Sequence, residues 1–467
     1  PSLGLPDISN LPSVESLSQY EAVKLFIDRA TSAVSTFTVT NDNAAALAQV
    51  CHHLDGIPLA IELAAAKIRV LSVEQIAKRL DDRFRLLTGG SRTVLERHQT
   101  LRAAIDWSYN LLSSAEQVLF SRLSVFVGGW TLEAVESVCS DESVSSVVRS
   151  DDVLNLLEQL IHKSLVIKEE VHSESRYHML ETIRQYAHER LLEAGGGEII
   201  RQHHLAYFVK LAEQAEPELY RSNQVLWLNR LDDELDNLRM ALEWALATDM
   251  EAGLRIAAVP WRFWLLRGYY QELAKWLAGL LERYNIDDAL HAQALAVYAD
   301  CAFVQGNFPE AIRRAEQSLQ MARTISDQRV EAPRLSFLGL YTNARGNVVR
   351  SIPLLEESLA IFRALGNKIG QADALMWLGS NDCEKEIDYA KESLRLHREL
   401  GNLSGISEAL IGLAGLSLQI GDLSSPVPWL EEAISISHQL GNHSSAWALH
   451  RVEKLAYWQG EYRLANK

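Results

Sequence analysis

The strongest constraint on the fold is a repeat in the C-terminal half of the chain. Three segments end alike, at Leu365-Gly366-Asn367, Leu400-Gly401-Asn402 and Leu440-Gly441-Asn442. Turn glycines recur in steps of 38, 40, 75 and 39 residues, at Gly268, Gly306, Gly346, Gly421 and Gly460. Helical pairs of this length stack into a solenoid, because one pair cannot bury its apolar face alone. The pattern therefore predicts an α-solenoid that resembles tetratricopeptide repeats.

The step of 75 residues indicates two repeats, one of them shortened by about five residues. We place the short repeat at Ala372 to Leu400 and expect the segment 387–390 to replace its glycine turn. The last residues, 464–467, would fall inside the second helix of a repeat, so we expect the array to be truncated at its C-terminus. The aromatic residues before these repeats suit either a groove or the core, with the core favoured: Trp261, Trp264, Tyr269 and Trp276.

A Gly-x-Pro turn opens an apolar helix near the N-terminus. Gly56 allows a tight turn, and Pro58 suits the first turn of a helix because its missing N–H would be unpaired there. Most residues from Pro58 to Ile68 are apolar helix formers, so we expect this helix to be buried. The turn presents backbone and a rigid ring to whatever lies above it, either a flat ligand or a neighbouring domain.

Residues 98–195 predict four helices, a β-hairpin and a further helix. Ser113 and Glu116 form a capping box at one helix start. We expect strands at 164–168 and 176–180, joined by a polar loop at 170–175. A hairpin after three helices is typical of a winged helix, a module that often binds DNA. This segment has 8 Lys and Arg but 15 Asp and Glu, which argues against direct contact with a polyanion.

The composition excludes several classes of function. A net charge of −16 argues against a dedicated nucleic-acid surface, and no apolar run approaches the roughly 20 residues of a membrane span. The four cysteines include no C-x-x-C pair, which fits a reducing compartment, so we expect a cytoplasmic protein without a membrane partner. The adjacent pairs His52-His53 and His203-His204 would point to different sides of a helix, so we predict no metal site.

The chain has no phosphate-binding loop of the form G-x-x-x-x-G-K-[ST]. The nearest segment, Gly89-Gly90-Ser91-Arg92-Thr93, lacks the spacing and the lysine, and we interpret it as a link between domains. Without a phosphate cradle this chain alone should not hydrolyse ATP. We therefore predict no catalytic residues and no enzymatic activity for it.

Four segments together resemble one bacterial family, at Gly56–Ala66, Leu80–Phe84, Leu87–Gly90 and Arg97–Tyr109. They are similar to the STAND (NB-ARC-like) signal-transduction ATPases of large LuxR-type transcriptional regulators. The resemblance implies a nucleotide-binding core, a helical domain, a winged helix and tetratricopeptide repeats, of which this chain lacks the first. We accordingly assign residues 1–18 to a linker from the missing core, 19–90 to a helical bundle, 91–197 to a winged-helix domain and 198–467 to the repeats.

The predicted fold class is mainly α: a small helical bundle, a winged helix-turn-helix with a β-hairpin wing, and a tetratricopeptide-like α-solenoid. The family resemblance also implies nucleotide contacts, from Gly56 and Pro58 to the adenine and from His178 to the β-phosphate. His178 lies in Tyr177-His178-Met179, where the family motif is Met-His-Asp, so Met replaces the aspartate. The alternatives are that the turn only starts a helix and that His178 is a half-buried strand-end histidine with a local partner.

The resemblance implies the regulatory and sensor portion of a STAND-type ATPase regulator. The winged helix and the Gly-x-Pro motif would close over a nucleotide held by the upstream domain, ADP or ATP with Mg²⁺, while this chain itself holds no cofactor. A protein, a peptide or a small-molecule inducer would bind in the repeat groove. Two alternatives remain: a tetratricopeptide scaffold without nucleotide dependence, and a DNA-binding winged-helix regulator.

Overall fold

The computed structural model describes residues 3–8, 13–54, 56–65, 68, 71–80, 105–106, 109–140, 147–163, 165–172, 174–378 and 385–441. It divides into two compact units, Pro1–His204 and Leu205–Lys467. Helices dominate both units, and the first also contains a small three-stranded sheet. This confirms the predicted mainly-α fold. Among the described residues, no helix combines the length and the apolar character that a membrane crossing requires.

The first part of unit one is a set of short helices. They are α1 (Val14–Leu17), α2 (Glu21–Ala33), α3 (Asn41–His53), α4 (Pro58–Ala65) and α5 (Val73–Arg79). Capping boxes at Thr40 and Ser72 satisfy free backbone N–H groups at the starts of α3 and α5. Helix α2 packs on α4, and α3 packs on α5. Helix α4 begins at Pro58 as predicted, and residues 66–67 of the predicted helical stretch lie outside the described residues.

The second part of unit one has the elements of a winged helix. Its helices are α6 (Ser114–Arg122), followed by a 3-10 turn (Leu123–Val125), then α7 (Leu132–Cys139), α8 (Ser150–His162) and α9 (Glu181–Glu193). Its strands are β1 (Trp130–Thr131), β2 (Ile167–Val171) and β3 (Glu174–His178). The predicted capping box is confirmed, since the Ser113 N–H donates to Glu116 Oε2 at 2.6 Å and the Glu116 N–H donates to Ser113 Oγ at 3.4 Å.

The strands form an antiparallel sheet in the order β1-β3-β2. The hairpin is confirmed, but the loop predicted at 170–175 is wrong, because β2 runs to Val171 and β3 begins at Glu174. Lys168, Glu169 and Glu170 are exposed on an edge strand, where polar side chains are compatible with pairing. Strand β1 was not predicted, since two residues are too short to show an alternating pattern.

Unit two is built of helical pairs. The helices before the regular repeats are α10 (Gly197–Glu218), of which the residues from Leu205 onward belong to this unit, α11 (Gln224–Asp233), α12 (Leu235–Thr248), α13 (Met250–Ala258), α14 (Trp261–Leu266) and α15 (Tyr270–Leu281). The repeats that follow are α16 (Ala289–Val304) with α17 (Phe308–Ile325), α18 (Gln328–Ala344) with α19 (Val348–Ala364), α20 (Lys368–Leu378) with α21 (Glu386–Leu400), and α22 (Leu403–Gln419) with α23 (Pro426–Leu440). Each first helix packs against the second helix of its pair.

Hydrogen bonds from buried serines show how many residues separate equivalent positions in the two helices of each repeat. Ser318 Oγ donates to the Ala292 carbonyl and Ser358 Oγ to the Ala332 carbonyl, each across 26 residues. The equivalent bond from Ser393 Oγ to the Ala372 carbonyl spans only 21 residues. The predicted shortening by about five residues is therefore confirmed.

The placement of the short repeat at Ala372 to Leu400 is confirmed by this bond, but the segment expected to replace its glycine turn is wrong. Residues 387–390 do not replace a turn, because they lie inside α21, which begins at Glu386. Glu386 and Asp388 occupy the first turn of this helix, where acidic side chains interact favourably with the helix dipole.

The turn glycines within the described ranges have the expected conformation. Gly268, Gly306, Gly346 and Gly421 have φ values of 79°, 76°, 86° and 82°, a left-handed region that favours glycine. Asn residues follow two of these glycines and cap the next helix. Gly460 and the predicted C-terminal truncation at 464–467 lie outside the described residues.

Candidate functional site

The Gly-x-Pro turn requires its glycine. Gly56 is buried with φ of +66°, and its carbonyl accepts a hydrogen bond from the Leu3 N–H at 2.9 Å. A Cβ at this position would lie 2.5 Å from the Leu3 carbonyl oxygen, so no side chain fits. Pro58 is exposed at the first position of α4. The helix-start interpretation thus accounts for both residues, and their predicted contact with adenine stays a prediction.

His178 lies at the edge of a polar recess of about 280 Å³ at the end of β3. The recess is lined by Phe126, Gly128, Gly129, Trp130, Glu169, His178, Met179, Glu181 and Arg184. A Cβ on Gly129 would lie 3.0 Å from the Tyr177 carbonyl oxygen and 3.6 Å from the Cβ of His178. Glycine therefore lets the turn after α6 approach the end of β3 closely.

His178 has the local partner that the alternative interpretation requires. Its Nε2 lies 3.9 Å from Glu169 Oε1, and 29% of its side chain is exposed. The nearby Arg184 donates to both carboxylate oxygens of Glu181, from Nε at 2.7 Å and Nη2 at 2.9 Å, and from Nη1 to the Ser124 carbonyl at 3.2 Å. The described lining of the recess includes neither Gly56 nor Pro58. Within the described ranges, no cluster of His, Cys, Asp and Glu is arranged to hold a metal ion.

A second candidate site lies in unit two. We call it the repeat cavity: a space of about 370 Å³ between the first helices α16, α18 and α20 on one side and the end of α10 with α14 on the other. Its lining includes three neighbouring aromatic side chains, those of Trp261, Phe337 and Trp377. The rings of Trp261 and Phe337 are 5.7 Å apart and nearly perpendicular, and those of Phe337 and Trp377 are 5.2 Å apart. Trp261 is therefore a groove residue, whereas Trp264 is fully buried in the core.

Buried charged residues lie next to Tyr220 and Asp373, two residues that line the repeat cavity. Arg262 is 8% exposed, stacks over the Tyr220 ring at 4.9 Å and donates from Nη2 to Ser404 Oγ at 3.2 Å. Burial raises the pKa of Asp373, which lines the cavity, to about 7, although the charge of Arg262 opposes this shift. Burial and the charge of Arg262 lower the pKa of His397 to about 3, and its Nε2 lies 3.6 Å from Asp373 Oδ1.

A second buried group joins Asp300, Tyr341 and Arg334. The Tyr341 hydroxyl donates to Asp300 Oδ1, while Asp300 Oδ2 has no hydrogen-bond partner among the described residues. Burial raises the pKa of Asp300 to about 7, against the lowering effects of the Tyr341 hydrogen bond and the charge of Arg334. Burial also lowers the pKa of Arg334 to about 10. Such groups are typical of binding sites, because burying charge without full pairing is costly.

These buried charged residues were not predicted from the sequence. A signal was present for Asp300, which interrupts an otherwise apolar stretch from Ala294 to Ala302. Arg334 gave no comparable signal, since a single arginine on a helix is usually solvated. Only the packing of α16 against α18 shows that both are buried.

Sequence comparison identifies one domain and a set of longer relatives. Residues 112–192 match the family model described as a winged helix-turn-helix domain. These residues are a winged helix.

The chain is 37% identical over 373 residues to a protein of Mycobacterium tuberculosis named "Putative HTH-type transcriptional regulator Rv0890c", an alignment that covers 78% of this chain and 41% of that protein. It is 38% identical over 181 residues to "Uncharacterized protein Rv0894" of the same organism, covering 38% of this chain and 45% of that protein. The chain thus spans less than half the length of the curated relatives it matches.

Solved structures share the helical architecture only. A STAND protein with a tetratricopeptide repeat sensor from Pyrococcus horikoshii superimposes with a TM-score of 0.31 and 15% identity, over 95% of this chain and 70% of that one. A Rap protein complexed with competence and sporulation factor gives a TM-score of 0.44 and 15% identity, over 55% of this chain and 73% of that one. At these values the similarity says nothing about binding.

Proposed function

We propose that this chain is the regulatory and sensing part of a STAND-type transcriptional regulator. The observation that carries the proposal is the 37% identity to an HTH-type regulator homologue over 373 residues, a length greater than that of either unit. The likeness therefore includes parts of both units. A winged helix followed by tetratricopeptide-like repeats supports the same interpretation.

In the proposed resting state, an upstream nucleotide-binding core holds ADP, and this chain closes over it. The exposed ring of Pro58 and the backbone of Gly56 contact the adenine. His178, partly exposed at the rim of its recess, donates a hydrogen bond to the β-phosphate, as an imidazole can near neutral pH. Met179 replaces the motif aspartate, so Glu169 on β2 is the carboxylate that orients His178. ATP and its Mg²⁺ are held by the upstream core.

The repeats act as the sensor in this proposal. A partner or inducer that binds them favours a second arrangement, in which the winged helix releases the nucleotide and ATP replaces ADP. Two distinct sites would then bias one two-state element, which is what allosteric coupling requires.

Calorimetry with ADP tests the contact from His178. The protein measured should combine the proposed nucleotide-binding core with this chain. His178→Ala is expected to weaken ADP binding about tenfold, because a hydrogen bond to a charged group is lost. His162→Ala is the matched control, since His162 is exposed at the end of α8. An unchanged affinity of the His178 variant would remove this contact from the mechanism.

The scaffold alternative is favoured by one observation, namely that the repeat cavity is formed within unit two and needs no nucleotide. Fluorescence anisotropy of a labelled partner separates the two functions. A switch requires the affinity for the partner to differ between ADP and ATP, whereas a scaffold shows equal affinities. Direct DNA binding would instead give a mobility shift with duplex DNA that weakens steeply as salt rises. The exposed Glu169 and Glu170 on the wing oppose that outcome.

A further inference from the structure

We propose that the repeat cavity binds a small organic carboxylate with a flat apolar body, and that Arg334 holds the carboxylate. This inference rests on the part of the proposed function that gives the repeats a ligand. It does not depend on nucleotide binding.

Arg334 is the first observation. Its side chain lines the repeat cavity and is only 9% exposed, yet its Nε has no hydrogen-bond partner within the described part of the chain. The positive charge is balanced only at longer range, chiefly by Asp300. A guanidinium offers planar donors that match a carboxylate, and burying it unpaired is costly. Part of the hydrogen-bonding capacity of this guanidinium is therefore unsatisfied at the cavity wall.

The other arginines that line the repeat cavity already have partners. Arg329 pairs with Asp327 at 3.2 Å, and Arg221 pairs with Glu218 at 3.5 Å. The cavity lining also includes two acidic side chains, Glu216 and Asp373. A doubly charged phosphate would meet repulsion from these carboxyl groups, whereas a single negative charge is matched by Arg334. The charge balance therefore favours a carboxylate.

The apolar walls define the body of the ligand. Trp261, Phe337 and Trp377 form a contiguous aromatic wall, whose faces and edges can pack against a flat ring. Ser336 adds a second polar atom, since its Oγ is buried and unpartnered among the described residues. A volume of about 370 Å³ is that of a small-molecule site rather than a protein-binding surface.

Hydrogen bonds also link distant segments of unit two beside the repeat cavity. Gln224 Nε2 donates to Ser404 Oγ at 2.9 Å, and the Ser404 N–H donates to Gln224 Oε1 at 3.0 Å. Arg262 donates to the same hydroxyl at 3.2 Å. These bonds join Gln224, at the start of α11, and helix α14 to helix α22, across 180 and 142 residues of the chain. The side of the repeat cavity formed by Tyr220 and Trp261 is thereby held in place, as expected of a preformed small-molecule site.

Calorimetry on the full 467-residue chain tests the proposal with 3-indolepropionate as the probe. The carboxylate is expected to bind, and its uncharged amide, 3-indolepropionamide, to bind about tenfold more weakly or not at all. R334M is expected to lose the preference for the carboxylate. R395M is the matched control, because Arg395 is exposed and paired with Glu392. S336A should weaken both probes several-fold.

Thermal unfolding distinguishes a binding role of Arg334 from a structural one. Because R334M removes an unpaired buried charge, its unfolding midpoint should equal or exceed that of the native protein, while stabilisation by the probe disappears. A lower midpoint with unchanged probe binding would overturn the proposal. So would equal binding of acid and amide, preferential binding of tryptamine, or displacement of the probe by inorganic phosphate. If R334M fails to fold, the comparison of acid and amide binding to the native protein and the S336A variant still test the proposal. None of these experiments uses nucleotide, so their failure leaves the ADP measurements unaffected.

Discussion

Substitution of Asp300 by asparagine should change the pH dependence of stability in a predictable way. Asp300 is 6% exposed, and its pKa is raised from 3.8 to about 7 because burial disfavours the charged carboxylate. At 1.36 kcal/mol for each pH unit between these two values, charging Asp300 costs about 4 kcal/mol more in the folded state than in the unfolded state.

The sign follows from the folded state holding the proton more tightly. The contribution of Asp300 to stability is complete below about pH 4 and is lost as the pH rises to about 7. Asp300→Asn cannot lose a proton, and its side-chain oxygen still accepts from the Tyr341 hydroxyl. The free energy of unfolding of the variant, relative to the native protein, should therefore rise by up to about 4 kcal/mol between pH 4 and pH 8.

Urea unfolding followed by circular dichroism at a series of pH values measures this difference. Subtracting the free energy of unfolding of the variant from that of the native protein at each pH cancels the contributions of the titrating groups that both proteins share. Asp287→Asn is the control, because 81% of the Asp287 side chain is exposed. A difference in the free energy of unfolding between the native protein and Asp300→Asn that stays constant from pH 4 to pH 8 would show that Asp300 does not hold its proton more tightly in the folded state.

Two glycine substitutions, each with a matched control, test the packing. Gly370→Ala would place a Cβ 2.3 Å from the buried ring of Phe362 and should destabilise the protein by about 1–3 kcal/mol, whereas Gly412→Ala meets no atom within 4 Å and should stabilise it slightly. Gly56→Ala combines positive φ with a backbone clash and should lower the thermal midpoint more than Gly195→Ala, which has positive φ but open space. Differential scanning calorimetry measures all four midpoints, and equal effects within either pair would contradict the stated contacts.

Local chemistry made much of the fold predictable. The glycine turns, the capping box at Ser113 and the start of α4 at Pro58 each depend on a few neighbouring residues. The shortened repeat was visible as an irregular spacing, although the segment expected to replace its glycine turn was wrong, because Ile387 and its neighbours lie within a helix. Strand β1 depends on pairing with β3, far along the chain, and left no local pattern.

The candidate sites were less predictable, because their members come from distant segments. Asp300 and Tyr341 are 41 residues apart, and Gln224 meets Ser404 across 180 residues. No local pattern encodes such contacts. His178 was placed correctly at the end of a strand, but its predicted contact depends on a nucleotide-binding domain outside this chain.

The proposed closure over nucleotide is tested most directly by hydrogen–deuterium exchange on the protein that combines the proposed nucleotide-binding core with this chain, with and without ADP. Closure over ADP should slow amide exchange in two segments of this chain. One is the turn at Gly56 together with the first turn of α4, and the other is the end of β3 around His178. No change is expected at the distant wing tip near His172. Unchanged exchange in both segments at saturating ADP would show that this chain does not close over the nucleotide.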